Sequence, residues 1–168
     1  EAPTSKSVRF KWREHVTKTV SENGEALEKF CNALKDGNSE VVEQSLNNYL
    51  KRTISIRDTF VKKQMKENFY HGILLGILGF QQNWSVSSNK ESGDGYSDIL
   101  IETEDQETGI IIEIKYAETG NLEAVSKDAL KQIEDRRYEE QLLEEGVEHI
   151  LKYGIAFYKK KCKVMAVK

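Results

Sequence analysis

The sequence predicts an α/β chain in which a mixed β-sheet is flanked by helices and preceded by a small helical module. Three observations carry that expectation. β-like runs at 83–88, 95–101, 109–116, 150–158 and 163–167 read as strands. A stretch with helical periodicity, from about Asn121 to Glu145, lies between the third and fourth of them. A helix inserted between strands is the pattern of a sheet covered by helices, with at least one parallel crossover.

The N-terminal part reads as helical. Val8–Ser21 and Glu25–Leu34 are predicted helices, with Asp36-Gly37-Asn38 as a stop signal. Ser39 is expected to cap a third helix carrying Val42, Leu46, Tyr49 and Leu50 at roughly helical spacing. Ser55-Ile56-Arg57-Asp58 marks a turn, so the boundary is placed between a connector at 1–57 and a second domain at 58–168. Thr59–Gly79 has Phe60, Met65, Phe69, Ile73, Ile77 and Phe80 near one stripe, with Leu74 and Leu78 widening it. Its second half is almost wholly apolar and is expected to be buried.

Asn83–Ser88 is the first expected strand, and Asn89–Gly95 is a Gly/Ser/Asp loop. Two β-like runs, Gly95–Ile101 and Gly109–Tyr116, then flank a polar turn from Thr103 to Thr108. If they close as a symmetric antiparallel hairpin, Glu102 pairs with Gly109, Leu100 with Ile111 and Asp98 with Glu113. Ile150–Tyr158 and Lys163–Val167 are two further strands, joined at a lysine cluster.

The hairpin register is what brings chemistry into the chain. Directly opposed residues have Cβ atoms roughly 5 Å apart, and two carboxylates that close repel unless a cation sits between them. Lys115 follows Glu113 by two residues, so strand alternation puts it on the same face. Ile99, Ile101, Ile110, Ile112 and Ile114 form the opposite, apolar face. Two hard-oxygen ligands beside an ammonium suit divalent-metal phosphodiester chemistry, because magnesium takes oxygen ligands and commonly one or two carboxylates. The pattern Glu-x-Lys also arises on any solvent-facing strand, and a register slip of one residue would separate the two carboxylates.

Bulk properties narrow the alternatives. The chain has 168 residues, 38% hydrophobic and 32% charged, as in soluble globular proteins. Its net charge of −3 gives no global nucleic-acid signature, so such a partner would need local patches. Lys159-Lys160-Lys161-Cys162-Lys163 and Arg136-Arg137 are candidates, with a solvated face as the plainer alternative. Cys31 and Cys162 match no zinc spacing and no disulfide framework, which points to a reducing, cytoplasmic setting. No apolar run approaches the roughly 18 residues of a bilayer span, and no signal peptide is expected. The chain starts at Glu1 rather than Met, as an excised fragment of something longer would.

Several stretches together resemble the PD-(D/E)XK nuclease superfamily. They are Glu67-Asn68-Phe69-Tyr70-His71-Gly72-Ile73-Leu74-Leu75-Gly76, the run from Asn89 to Asp98, Glu113-Ile114-Lys115, Ala129-Leu130-Lys131-Gln132-Ile133, and Tyr138. The closer resemblance is to the nuclease domain that follows an AAA-ATPase-like domain, and it covers roughly Ser55 to the C-terminus. It implies a restriction-endonuclease-like αβββαβ core and metal-dependent hydrolysis of nucleic acid, DNA first. It implies Asp98 and Glu113 as ligands of Mg²⁺ or Mn²⁺, helped by the Ile114 carbonyl, and Lys115 as the catalytic lysine. It adds Glu67 from the preceding helix and Gln132 from the following one to the catalytic set, and an ATPase domain as a partner in the native chain. The proline of the superfamily's name is replaced by Ser97. His71, Tyr138, Lys159, Lys160 and Lys161 are secondary candidates for substrate contact, with core packing as the alternative for His71 and Tyr138. A non-catalytic binding module on the same fold, or an interaction domain worked by the N-terminal helices, are the competing functions.

Overall fold

The computed structural model describes residues 24–53, 63–90, 96–136 and 138–168, and within these the side chains of 63, 64, 89, 90, 96–98, 138 and 141 are not described. The expected helix at Val8–Ser21 and most of the Asn89–Gly95 loop therefore lie outside the described residues.

Among the described residues, five strands form one mixed sheet in the order β1-β2-β3-β4-β5: β1 Ser85–Lys90, β2 Tyr96–Glu102, β3 Thr108–Tyr116, β4 His149–Tyr158 and β5 Lys161–Val167. Neighbours are antiparallel except β3 and β4, which run parallel. The helices are α1 Gly24–Asp36, α2 Ser39–Thr53, α3 Lys63–Leu78, α4 Leu122–Asp135 and α5 Tyr138–Glu144. This is the expected mixed sheet between helices, with α4 and α5 in the parallel crossover from β3 to β4.

The two sheet faces are covered differently. Ile99, Ile101, Ile110, Ile112, Ile114, Tyr153 and Ile155 face a large core shared with Phe30, Leu34, Leu46 and Leu50 of α1–α2 and with Leu74 and Leu78 of α3. On the other face Leu100 and Ile111 join Ile133, Leu142 and Val147 in a small core under α4 and α5. The face expected to be polar is thus apolar at its lower half and carries the candidate chemistry at its upper half.

Local chemistry explains the element ends. Gly37, at φ +75°, closes α1: its N–H donates to Leu34 O and the Asn38 N–H to Ala33 O, a Schellman ending. Asn38 rather than Ser39 caps α2, its Oδ1 accepting the Val41 N–H at 3.2 Å. The shift by one residue follows from the Gly37 turn, which aims the Asn38 side chain back over the helix start. In α3 the buried stripe is Tyr70, Ile73, Leu74, Ile77 and Leu78, and Met65, expected inside, is 57% exposed. Tyr70 fixes that rotation by stacking on Phe157 at 4.4 Å between ring centroids.

The single expected helix from Asn121 to Glu145 is two. α4 ends at Arg136, whose N–H donates to Ile133 O, and α5 starts at Tyr138. Leu142 follows Ile133 by nine residues, about two and a half turns, so an unbroken helix would point the two in opposite directions. The break lets both reach the small core. β1 and β5 also differ from expectation by about two residues each, because the pairing partners on β2 and β4 decide where they begin.

The outer edge of the sheet at β5 is closed by α2. Asn47 Oδ1 accepts the Cys162 N–H at 2.8 Å and its Nδ2 donates to Cys162 O at 3.2 Å. Glu43 Oε2 accepts the Val164 N–H at 2.9 Å. These side chains satisfy backbone groups that an edge strand otherwise leaves open to a further strand. Cys31 and Cys162 are free and buried, and burial holds the Cys31 thiol up at about 11 and the Cys162 thiol higher still. Among the described residues no helix is long and apolar enough to cross a membrane.

Candidate active site

The site forms where the sheet splits. β2 and β3 pair from Glu102↔Gly109 through Leu100↔Ile111 to Asp98↔Glu113, the register expected from the symmetric hairpin. There the ladder ends. β3 continues beside β4 to Tyr116↔Phe157, whereas β2 continues beside β1 to Lys90↔Tyr96. The β1–β2 register jumps from Asn89↔Asp98 to Lys90↔Tyr96, so Ser97 is the extra residue of a β-bulge. A bulge bends and twists its strand, which carries β2 away from β3 just past Asp98. The Ser97 that stands in place of a proline is thus the residue at which the strands part.

Glu67 occupies the resulting gap at the edge of β3. The N–H groups of Tyr116 and Ala117 point to opposite sides of β3, and that of Ala117 donates to Phe157 O on β4. The Tyr116 N–H therefore points toward the departed β2, and Glu67 Oε1 accepts it at 3.1 Å. Three residues on along α3, Tyr70 donates its hydroxyl to Lys159 O at 2.6 Å. Burial raises the Tyr70 hydroxyl pKa well above that of an ordinary tyrosine, with Tyr116 and Cys162 adding to it, so it remains a donor. α3 is thereby pinned to the ends of β3 and β4.

Glu113 is the central group. It is 1% exposed, although it is a carboxylate on a strand. A solvent-facing strand, the ordinary origin of Glu-x-Lys, would leave it in water. Gln132 Nε2 donates to Glu113 Oε1 at 2.7 Å, and Arg136 Nη1 stands 3.8 Å from Oε2. Glu113 Oε2 accepts no hydrogen bond among the described residues. Gln132 and Arg136 are four residues apart, so they project from the same side of α4.

What brings α4 so near is Gly154, the β4 partner of Glu113. A Cβ there would collide with Ser126 O and lie 2.9 Å from Leu130 N, both backbone atoms of α4. Ser126 Oγ donates to Gly154 O at 2.8 Å, which fixes the contact. Asn121 starts the helix, its Oδ1 accepting the Ala124 N–H at 3.3 Å.

The structure brings Asp98, Glu113 and Gln132 to one place, with Asp98 located by its backbone register. Lys115 lies two residues beyond Glu113 on the same face, half-buried, past the end of the β2–β3 ladder. Glu67 is on the β3 edge three residues past Glu113. Lys159 and Lys160 form the β4–β5 turn and Lys161 opens β5, all at the sheet end where Lys115 and Tyr116 lie. His71 is buried at 4% exposure on α3, so it offers no surface to a substrate. Tyr138 opens α5, but its side chain lies outside the described residues. Arg136 was visible in the sequence only as part of a basic pair. Its spacing of four from Gln132 is the signal the sequence holds, since residues so spaced share a helix face.

Among the described residues no three His, Cys, Asp or Glu side chains gather as a metal cluster. The donor set nevertheless fits a hard divalent cation. A buried carboxylate with an unclaimed oxygen faces a second carboxylate position across the strand pair, and oxygen donors of that kind are what magnesium and manganese take.

No curated protein matches the chain. The family model of the PD-(D/E)XK nuclease superfamily matches residues 65–167, from α3 through β5, and takes in Glu67, Asp98, Glu113, Lys115 and Gln132. The chain belongs to the PD-(D/E)XK nuclease superfamily.

Proposed function

We propose that this chain is a divalent-metal-dependent nuclease domain that hydrolyses phosphodiester bonds in DNA. Proteins of the superfamily generally hydrolyse such bonds and typically use divalent ions. The observation that carries the reading is Glu113, a buried carboxylate with one oxygen unclaimed, paired in register with Asp98 where β2 and β3 separate.

In this reading Asp98 and Glu113 hold Mg²⁺ or Mn²⁺, with the Ile114 carbonyl as a further donor. A cation bound there would supply Lewis-acid polarisation of the phosphate and would lower the pKa of a coordinated water, so that the water can give up a proton and act as the nucleophile. Lys115, on the same face and beyond the ladder, places an ammonium where negative charge grows on the phosphoryl group. Gln132 is a positioning residue: its amide holds Oε1 and leaves the other oxygen of Glu113 without a hydrogen bond among the described residues. Glu67 keeps the end of β3, and with it Lys115, in place after β2 has left. The Lys159–Lys161 turn, at the same sheet end, is a track for the phosphate backbone, which local positive charge attracts even in a chain of net charge −3. The resemblance to the domain that follows AAA-ATPase-like domains extends the proposal to an ATPase in the same polypeptide.

The test is incubation with plasmid, linear duplex and single-stranded DNA in Mg²⁺ and in Mn²⁺, with a chelator control. Cleavage is expected with metal, lost on chelation and lost in Asp98→Ala and Lys115→Ala at unchanged circular dichroism. Full activity in both variants would overturn the site. Retarded migration of DNA with no cleavage in either metal would replace the nuclease by a binding module.

A further inference from the structure

We propose that Arg136 is the resident counter-cation of Glu113, and that a divalent cation entering the site must displace it. The inference rests on the reading of Asp98 and Glu113 as metal ligands. Glu113 is almost fully removed from water, and an ionised carboxylate there requires a positive partner. Arg136 is the cation seen beside it, with Nη1 3.8 Å from Oε2.

The geometry of that pair is incomplete in a specific way. At 3.8 Å the guanidinium neutralises charge, but it is too far to hydrogen-bond, so Oε2 keeps its lone pairs. The other oxygen accepts the Gln132 amide at 2.7 Å. An incoming cation therefore competes with Arg136 for charge and, among the described residues, with no hydrogen bond for Oε2.

Arg136 is also placed to leave. It is the C-cap residue of α4, its side chain is 25% exposed, and it engages a group besides Glu113. The carbonyl end of a helix attracts positive charge, so a guanidinium that withdraws from Glu113 stays stabilised nearby. α4 itself carries this residue over the site, because Arg136 follows Gln132 by four residues and so projects from the same side of the helix. The apparent metal affinity of the wild-type chain is consequently reduced by the fraction of molecules in which Arg136 holds the site.

The experiment uses the full chain and two measurements. In metal-free buffer, urea denaturation of wild type, Arg136→Gln, Glu113→Gln and the double variant forms a cycle. Arg136→Gln is expected to lower the midpoint in the wild-type background and to do so much less in the Glu113→Gln background. Additive effects would overturn the pairing. Calorimetric titration with Mn²⁺ then compares wild type, Arg136→Gln, Arg136→Met and Arg136→Lys. Both neutral variants are expected to bind about tenfold more tightly than wild type, as removal of a competing state that holds most molecules requires, and Lys is expected to stay near wild type. Two neutral variants keep the test readable should one of them fail to fold. Unchanged or weaker Mn²⁺ binding in the neutral variants, with wild type binding normally, overturns the displacement and leaves the metal site standing. Binding in the neutral variants alone supports it. Absence of binding in every variant overturns the metal site, and the displacement falls with it.

Discussion

Glu113 is where charge and burial conflict most directly in this chain, and Gln132 carries much of the resolution. The amide at 2.7 Å is the only hydrogen bond the carboxylate receives among the described residues. Gln132→Ala removes it and leaves a buried charged acceptor unmatched, which typically costs about 1–3 kcal/mol. Urea denaturation in metal-free buffer should show a loss of that size, and nuclease activity should fall with it because Glu113 is no longer oriented. Gln132→Glu should be worse, since it sets a second carboxylate against the first. An unchanged midpoint in Gln132→Ala would mean that the amide is replaced without penalty. The spacing of Glu113 and Lys115 was legible in the sequence because strand alternation is a local rule. The burial of Glu113 was not, because it depends on a helix that follows in the chain and lies across the sheet.

At the scale of elements, α4 and the sheet meet through Gly154. Any Cβ there must push away the backbone of α4 at Ser126 rather than a flexible side-chain tip. Gly154→Ala should therefore destabilise the chain by about 1–3 kcal/mol, as overpacking does. It should also loosen the Gln132–Glu113 contact, so that cleavage falls more than stability alone explains. α2 meets the sheet through side chains instead. Asn47→Ala strips two hydrogen bonds from Cys162, and hydrogen exchange at the Cys162 amide should accelerate by an order of magnitude or more, about 1.4 kcal/mol per factor of ten. Unaltered exchange would show that α2 closes the β5 edge without Asn47.

A third joint ties α1 to the turn between β2 and β3. Lys35 Nζ lies 2.7 Å from Glu104 Oε1 and 2.9 Å from Asp105 Oδ2. Lys35, then the Thr103 hydroxyl and the Glu107 N–H, hold the Asp105 carboxyl well below the usual range. Lys35 likewise heads the groups that lower Glu104, whose Oε2 also accepts the Trp84 indole N–H at 2.5 Å. Both folded pKa values lie below the unfolded ones, so this joint stabilises the chain above about pH 4, the ordinary carboxylate range. Its contribution is lost as the pH falls through the lowered values. Both groups are solvent-accessible, which makes the effect small and salt-sensitive. Lys35→Met should lower the denaturation midpoint slightly at pH 7 and have less effect near pH 2. An equal effect at both would exclude the ion pairs as its cause.

For the whole molecule, the apolar core crosses the boundary that the turn at 55–58 placed after residue 57. Phe30, Leu34, Leu46 and Leu50 pack with Ile110, Ile112 and Tyr153 in one cluster, and Tyr153 donates its hydroxyl to Leu34 O at 2.6 Å. The family match begins only at residue 65. A fragment spanning 58–168 retains the candidate site residues but exposes the sheet face that α1 and α2 cover. It is expected to lose cooperative unfolding and to aggregate, whereas residues 24–168 should unfold in one transition. A monomeric, cooperatively folded 58–168 fragment would show that the helices are a separable module.

Sequence alone determined the periodicities, and these set the elements, the mixed sheet and the Asp98–Glu113 register. They do so because alternation along a strand and the length of a hairpin turn are properties of neighbouring residues. Helix breaks and cap positions were partly hidden, as the Arg136 junction and the Asn38 cap show, since each is chosen by packing at one end. Tertiary structure decided what surrounds Glu113: Gly154 admits α4, α4 brings Gln132 and Arg136, and the Ser97 bulge opens the sheet beside Glu67. Those residues are far apart in the chain, and only the close approach of a helix to a strand makes them a single site.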